Sequence, residues 1–99
     1  MALTENQKRH LRRLGHALNP VVQVGQRGVT ANVVAELARA LHDHELVKVR
    51  ARVGEREARD AALARLAAET GSELAFQIGN VGLFYKKNNE LNKVLIPDS

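Results

Sequence analysis

The chain has no cysteine and few aromatic rings, which make up 3% of its 99 residues. Without a thiol there is no disulfide, iron–sulfur cluster, thiolate zinc site or cysteine nucleophile. That fits a reducing compartment, and a cytoplasmic location is expected. No run approaches the roughly 18 apolar residues of a membrane span, and Met1 to Arg13 lacks the apolar core of a signal peptide. No membrane partner is therefore expected. The serines are Ser72, beside a turn, and Ser99, the last residue. No carboxylate stands in an apolar stretch that would raise its pKa. The residues thus predict no catalytic group, no small-molecule substrate and no cofactor: the chain reads as a non-enzyme.

What the chain does have is aliphatic bulk and an uneven positive charge. Hydrophobic residues make up 44%, enough for one modest core of alanine, leucine and valine, so residues 1–99 read as a single domain. The net charge is +4. Residues 1–28 hold Lys8, Arg9, Arg12, Arg13 and Arg27 against Glu5 alone, while the remaining ten bases are balanced by ten acids. A localised excess of this kind favours polyanions such as nucleic acid, with solubility as the plainer reading.

Thr4 with Gln7 three residues later has the spacing of a capping box. In the helix that follows, Leu11, Leu14 and Leu18 share one arc, and Lys8, Arg9, Arg12 and Arg13 share the opposite one. The helix is predicted to end near Gly15–His16, before Pro20. Val21 to Val24 reads as a short strand ending at Gly25. A second helix starts after the N-cap Thr30 and carries Val33, Val34, Leu37, Ala38 and Leu41 to about His42. From Glu45 to Val53 the sequence alternates, with Val47, Val49, Ala51 and Val53 on one face and Lys48, Arg50 and Arg52 on the other. A third helix covers about Glu55 to Thr70 and stops at Gly71. Its charges at i,i+4, Glu55 with Arg59 and Arg56 with Asp60, read as a self-neutralising solvated face. Leu74 to Ile78 and Leu83 to Lys86 close the pattern as two strands, joined by the turn Gly79-Asn80-Val81-Gly82. After Asn88 the chain is polar and then apolar at Val94, Leu95 and Ile96, which predicts packing against the domain.

The order is α-β-α-β-α-β-β, an α/β domain with a four-stranded mixed sheet. Crossover connections place helices two and three on one sheet face. The position of the basic helix one is left open.

Two Gly-x-x-Gly segments occur. Gly79-Asn80-Val81-Gly82 joins two strands, where its glycines and Asn80 suit a tight hairpin, and it reads as structural. Gly25-Gln26-Arg27-Gly28 links a strand to a capped helix. Here bare backbone approaches a helix N-terminus with its unpaired N–H groups, and Arg27 sits at the tip. Such a loop can clamp a nucleic-acid backbone, as the KH-type loop does; the plainer reading is a turn into a helix. Lys48, Arg50 and Arg52 form a basic stripe whose plainer reading is a solvent-facing sheet side. His42-Asp43-His44-Glu45 is a superficial metal cluster, but a helix end running into a strand need not converge these side chains, and no metal is expected. Phe76, Phe84 and Tyr85 read as core, with base stacking by Tyr85 as the alternative.

The stretches Val24-Gly25-Gln26-Arg27-Gly28-Val29-Thr30, His44-Glu45-Leu46-Val47-Lys48-Val49 and Gln77-Ile78-Gly79 resemble the YhbY family of stand-alone CRM (chloroplast RNA splicing and ribosome maturation) domains. Leu3 to Leu18 with Pro20 resembles the family's opening, so the likeness spans nearly the whole chain. It implies the α-β-α-β-α-β-β fold, similar to the C-terminal domain of bacterial translation initiation factor three. It also implies binding of structured RNA: bacterial members are associated with precursors of the large ribosomal subunit, and plant relatives with group II intron splicing. The family's Gly-x-x-Gly loop falls on Gly25–Gly28. Lys86 stands where many members carry arginine after the strand-four tyrosine, keeping the charge without the bidentate fork.

The expected function is that of a monomeric RNA-binding assembly factor for the large ribosomal subunit. The residues expected at RNA are Lys8, Arg9, Arg12, Arg13, Gly25, Gln26, Arg27, Gly28, Thr30, Lys48, Arg50, Arg52 and Lys86. A DNA-binding module and a protein-interaction domain meeting an acidic partner are the alternatives.

Overall fold

The computed structural model describes residues 2–91 and 94–98. Met1, Asn92, Lys93 and Ser99, one of the two serines noted above, lie outside the described residues. The elements are α1 (Glu5–Gly15), β1 (Val22–Val24), α2 (Ala31–His44), β2 (Leu46–Ala51), α3 (Arg56–Thr70), β3 (Glu73–Ile78) and β4 (Val81–Tyr85). The sheet order is β1-β2-β4-β3. β1 runs parallel to β2, and β4 runs antiparallel to both β2 and β3. The carboxyl ends of β1, β2 and β3 therefore lie at one end of the sheet.

The local signals act as their chemistry requires. The Thr4 hydroxyl accepts from the Gln7 N–H at 3.1 Å, and Gln7 Oε1 accepts from the Thr4 N–H at 2.9 Å, which completes the capping box. Thr30 Oγ1 accepts from the Val33 N–H at 3.2 Å to start α2. Gly71, with φ +67°, ends α3 in the left-handed conformation that side-chain-bearing residues avoid.

Two apolar layers flank the sheet. On one face Leu37 and Leu41 of α2 and Ala62, Leu63 and Leu66 of α3 pack with Val22, Val24, Val47, Val49, Ala51 and Phe84. On the other, Leu3 and Leu11 meet Leu46, Ala75, Leu83 and Tyr85, with Leu18, Phe76, Val94 and Ile96 at the margin. Helix α1, whose position the sequence left open, thus covers the face opposite α2 and α3. It lies tight against the sheet at Gly15, where an added Cβ would stand 2.7 Å from a Leu83 methyl carbon. The C-terminal segment returns to α1 through Val94 and Ile96 as expected, but Leu95, expected to pack with them, is exposed to solvent. Gln7 Nε2 donates to the Pro97 carbonyl at 2.8 Å, and the His10 ring to that of Leu95 at 2.8 Å.

Several expectations are corrected. Leu14, placed with the docking leucines, is 40% exposed, because the inward arc of α1 is filled by Leu11 and by Gly15, where the backbone itself meets the sheet. The hairpin turn is shorter than read: Val81 and Gly82 belong to β4, and Gly79 alone takes a positive φ, +57°. Tyr85 is buried on the α1 side, which bears out its reading as core and removes only the base-stacking alternative. Burial, and then the nearby Glu45 carboxylate, hold its phenol above the usual pKa of 10.0. The pairs Glu55–Arg59 and Arg56–Asp60 do not form; Asp60 accepts instead from Gln77 Nε2.

Glu45 is the largest departure. It is fully buried with φ +65°, at the helix-to-strand turn. Its carboxylate accepts from the backbone N–H of Asn88 at 2.8 Å and of Val94 at 3.0 Å. A charged side chain here is held by backbone donors, so it ties the C-terminal segment to the domain. His42 and His44 on the same turn are exposed. Among the described residues no group of three or more His, Asp or Glu could hold a metal ion.

Candidate nucleic-acid interface

The sheet's topology gathers unlike elements at one end. Beyond the carboxyl ends of β1 and β2 lie the Gly25–Gly28 loop and the turn into α3, and between β3 and β4 lies the Gly79–Asn80 turn. The N-termini of α2 and α3 open at that end as well. In α/β sheets ligands bind there, because helix dipoles and unpaired N–H groups concentrate positive potential where strands stop.

The Gly25–Gly28 loop is a closed turn: the Gly28 N–H donates to the Gly25 carbonyl at 2.9 Å. Gly28 has φ +74°, which a side chain would strain. Gly25 has no such requirement, and a Cβ there would meet nothing within 4 Å. The fold therefore needs a glycine at position 28 but leaves bare, open backbone at 25. Gln26 and Arg27 are exposed at the tip. Thr30 Oγ1 is engaged as the α2 cap, so what Thr30 supplies is the helix terminus rather than a free hydroxyl.

The two Gly-x-x-Gly segments, far apart in sequence, are neighbours in space. Arg52 donates its N–H to the Val24 carbonyl at 2.7 Å, and Ala51 to that of Asn80 at 2.7 Å. Gln26, Arg50, Arg52, Arg59 and Asn80 line one polar hollow of about 470 Å³. The hairpin turn thus holds its strands together and also forms a wall beside the other loop.

Arg59 is the residue that sequence reasoning missed. Among the described residues its Nε is shut off from solvent without a hydrogen-bond partner. The i,i+4 spacing to Glu55 suggested a solvated pair. The overlooked signal was its position: Arg59 precedes Ala62 and Leu63 by three and four residues, on the buried stripe of α3. A helix stripe that begins with arginine points a guanidinium at the sheet's end.

On the α1 face, Lys48 and Arg50 emerge from β2 beside the end of α1. With Arg12, His16 and Phe76 they line a second hollow of about 340 Å³. The Arg12 guanidinium carbon lies 4.3 Å from the Phe76 ring centroid, a cation–π contact. Arg50 lines both hollows, so Arg12, Lys48, Arg50, Arg52 and Arg59 form one continuous cationic run. Among the described residues no aspartate or glutamate lines either hollow. Arg9 and Arg13 are exposed on α1 and Lys8 is half-buried, and these three line neither hollow. Lys86 is not brought to this end. It follows the far end of β4, about 17 Å from Val81 at strand rise, and its Nζ donates to the Thr70 carbonyl at 2.8 Å, closing α3.

These features define a small α/β domain that presents glycine turns and a band of arginine and lysine at the carboxyl ends of its parallel strands. Residues 3–86 match the CRS1 / YhbY (CRM) domain, and the chain belongs to that family. It is 47% identical over 95 residues to a probable RNA-binding protein of Pseudomonas aeruginosa, covering 96% of this chain and 91% of the relative. An RNA-binding protein of Haemophilus influenzae is 36% identical over 95 residues, 96% of this chain and 95% of its own. The solution structure of a Staphylococcus aureus protein, a candidate RNA-binding one, superposes with a TM-score of 0.85 at 30% identity, covering 97% of this chain and all of that one.

Proposed function

We propose that this chain binds structured RNA and serves in assembly of the large ribosomal subunit. The observation that carries the RNA reading is the cationic run from Arg12 through Lys48, Arg50 and Arg52 to Arg59, along two hollows that no described acid lines. Arginine and lysine along a groove neutralise phosphates and release counterions, which supplies affinity for a nucleic-acid backbone without base contacts. In this reading the Gly25–Gly28 loop lays its backbone and the α2 terminus against a phosphate. Gln26 and Arg27 stand at that contact, and Lys8, Arg9 and Arg13 extend the positive field along α1. Lys86, engaged at the end of α3, lies outside this contact. RNA is favoured because the family relatives are described as RNA-binding; the ribosomal part rests on the family resemblance alone.

Parallel titrations with a structured RNA hairpin, duplex DNA of equal length and an acidic polypeptide test the class of partner. The RNA should bind at least tenfold more tightly than either rival. Tighter duplex DNA binding would reassign the module to DNA, and tighter polypeptide binding would make the basic face a protein interface. Co-sedimentation with large-subunit precursors, with crosslinks to their RNA, tests the ribosomal part; crosslinks to small-subunit RNA instead would refute it.

A further inference from the structure

We propose that the groove at the end of α1 takes one unpaired RNA base, and that Lys48 and Arg50 hold its flanking phosphates. This rests on the RNA reading and adds a ligand class to it. Helix α1 covers only part of its sheet face. After Gly15 the chain turns away through Pro20 to reach the edge strand β1, and the sheet beyond is left open. There Ile78 is 64% exposed, with half-buried Phe76 and Val81 beside it. An apolar floor walled by Arg12, Lys48 and Arg50, with no acid among its lining residues, sets an apolar surface directly beside positive charge.

A nucleotide matches both halves of this chemistry, since its base is a flat apolar plate and its phosphates are anionic. Phe76 holds one face of the Arg12 guanidinium, and Arg12 itself is exposed. A base laid on Ile78 can stack against that guanidinium plane, as unpaired bases in RNA complexes stack on arginine and aromatic groups. The hollow, about 340 Å³, falls within the ordinary range of small-molecule clefts. Paired bases are excluded. In an A-form duplex each base is covered by its neighbours, and the deep major groove admits no protein surface of this breadth. The occupant is therefore a base from a loop or bulge, beside the duplex phosphates gripped at the Gly25–Gly28 end.

An RNA hairpin with a three-nucleotide bulge tests this, made once with its bases and once abasic at the same three positions. The two carry identical phosphates, so their difference isolates the base. The protein should bind the base-bearing form about tenfold more tightly, from stacking of one base. Ile78→Ser, at an exposed position, should lower that affinity to the abasic level while leaving abasic binding unchanged, and Phe76→Ala, checked for folding by circular dichroism, should likewise abolish the difference between the two RNAs. Equal binding of the two RNAs by the unaltered protein would overturn the proposal while leaving the RNA reading intact. So would a base preference that survives both substitutions. Absence of binding to either hairpin would remove the RNA reading itself. Self-association abolished by Ile78→Ser would assign the groove to a second copy of the chain and overturn the proposal equally.

Discussion

The two faces of one sheet carry opposite designs. The face under α2 and α3 is closed: Val22, Val24, Val49, Leu63, Leu66 and Phe84 are all shut off from solvent. The face under α1 is closed over Leu46, Ala75, Leu83 and Tyr85 and then stops, leaving Ile78 and the aliphatic stems of Lys48 and Arg50 at an open margin. β2 serves both at once, because alternate residues point to opposite faces: Val47, Val49 and Ala51 go to the core, Lys48 and Arg50 to the groove. Stability and binding can therefore be altered separately along a single strand.

Breaking the closed face should have the largest effect. Phe84→Ala empties the centre of that layer and should cost about 3–5 kcal/mol of stability, read as the shift in a denaturant midpoint. A loss below about 1 kcal/mol would mean that Phe84 is not the keystone its full burial implies. The matching change at the open margin, Arg50→Gln, should leave the midpoint nearly unchanged, since surface substitutions usually stay within about 0.5 kcal/mol.

The end of the sheet should respond next, and in binding rather than stability. Gln26→Asp with Arg27→Asp places two negative charges beside the α2 terminus, which the helix dipole tolerates or favours. RNA affinity should fall at least tenfold, about 1.4 kcal/mol. Asn80→Asp puts one charge on the neighbouring wall of the same hollow and should give a smaller but measurable loss. Were Asn80→Asp the more damaging of two folded variants, the hairpin turn, not the Gly25–Gly28 loop, would be the phosphate contact.

The exposed face of α1 should matter least. Arg9 and Arg13, which line neither hollow, changed together to glutamine remove two solvent-exposed charges, each worth about 0.3 kcal/mol, so affinity should drop about threefold. The fold should survive, because Leu11 and Gly15, not these residues, seat the helix. Unchanged affinity in the folded double variant would confine the interface to the two hollows.

The comparison also explains what the sequence made legible. Elements with a periodic signal and a local cap could be read directly: the alternation of β2, the Thr4–Gln7 capping box, the Thr30 cap and the Gly71 stop. Each is decided by neighbours a few residues away. The side of the sheet taken by α1 could not be read, because a leucine stripe says that a helix docks without saying where. Glu45 escaped for a similar reason. Its partners are the backbone of Asn88 and Val94, more than forty residues on, and no spacing rule connects them. Of the proposed interface, the glycine loop and the β2 stripe were legible as chemistry. Their union with Arg12 and Arg59 was not, since it depends on crossovers bringing α1, β2 and α3 to one end. Lys86 shows the converse, a cation expected at RNA that the fold employs as a helix cap.

The central claim is that the half-open, cationic side of the sheet meets the RNA backbone. Salt dependence tests it most directly: the affinity of the intact protein for a structured RNA, measured from low to moderate salt. With four to six phosphates neutralised, log K against log salt should have a slope of roughly −3 to −5, and Lys48→Gln with Arg50→Gln should make it shallower by about 2. A slope near zero, or one that the double variant leaves unchanged, would contradict the account.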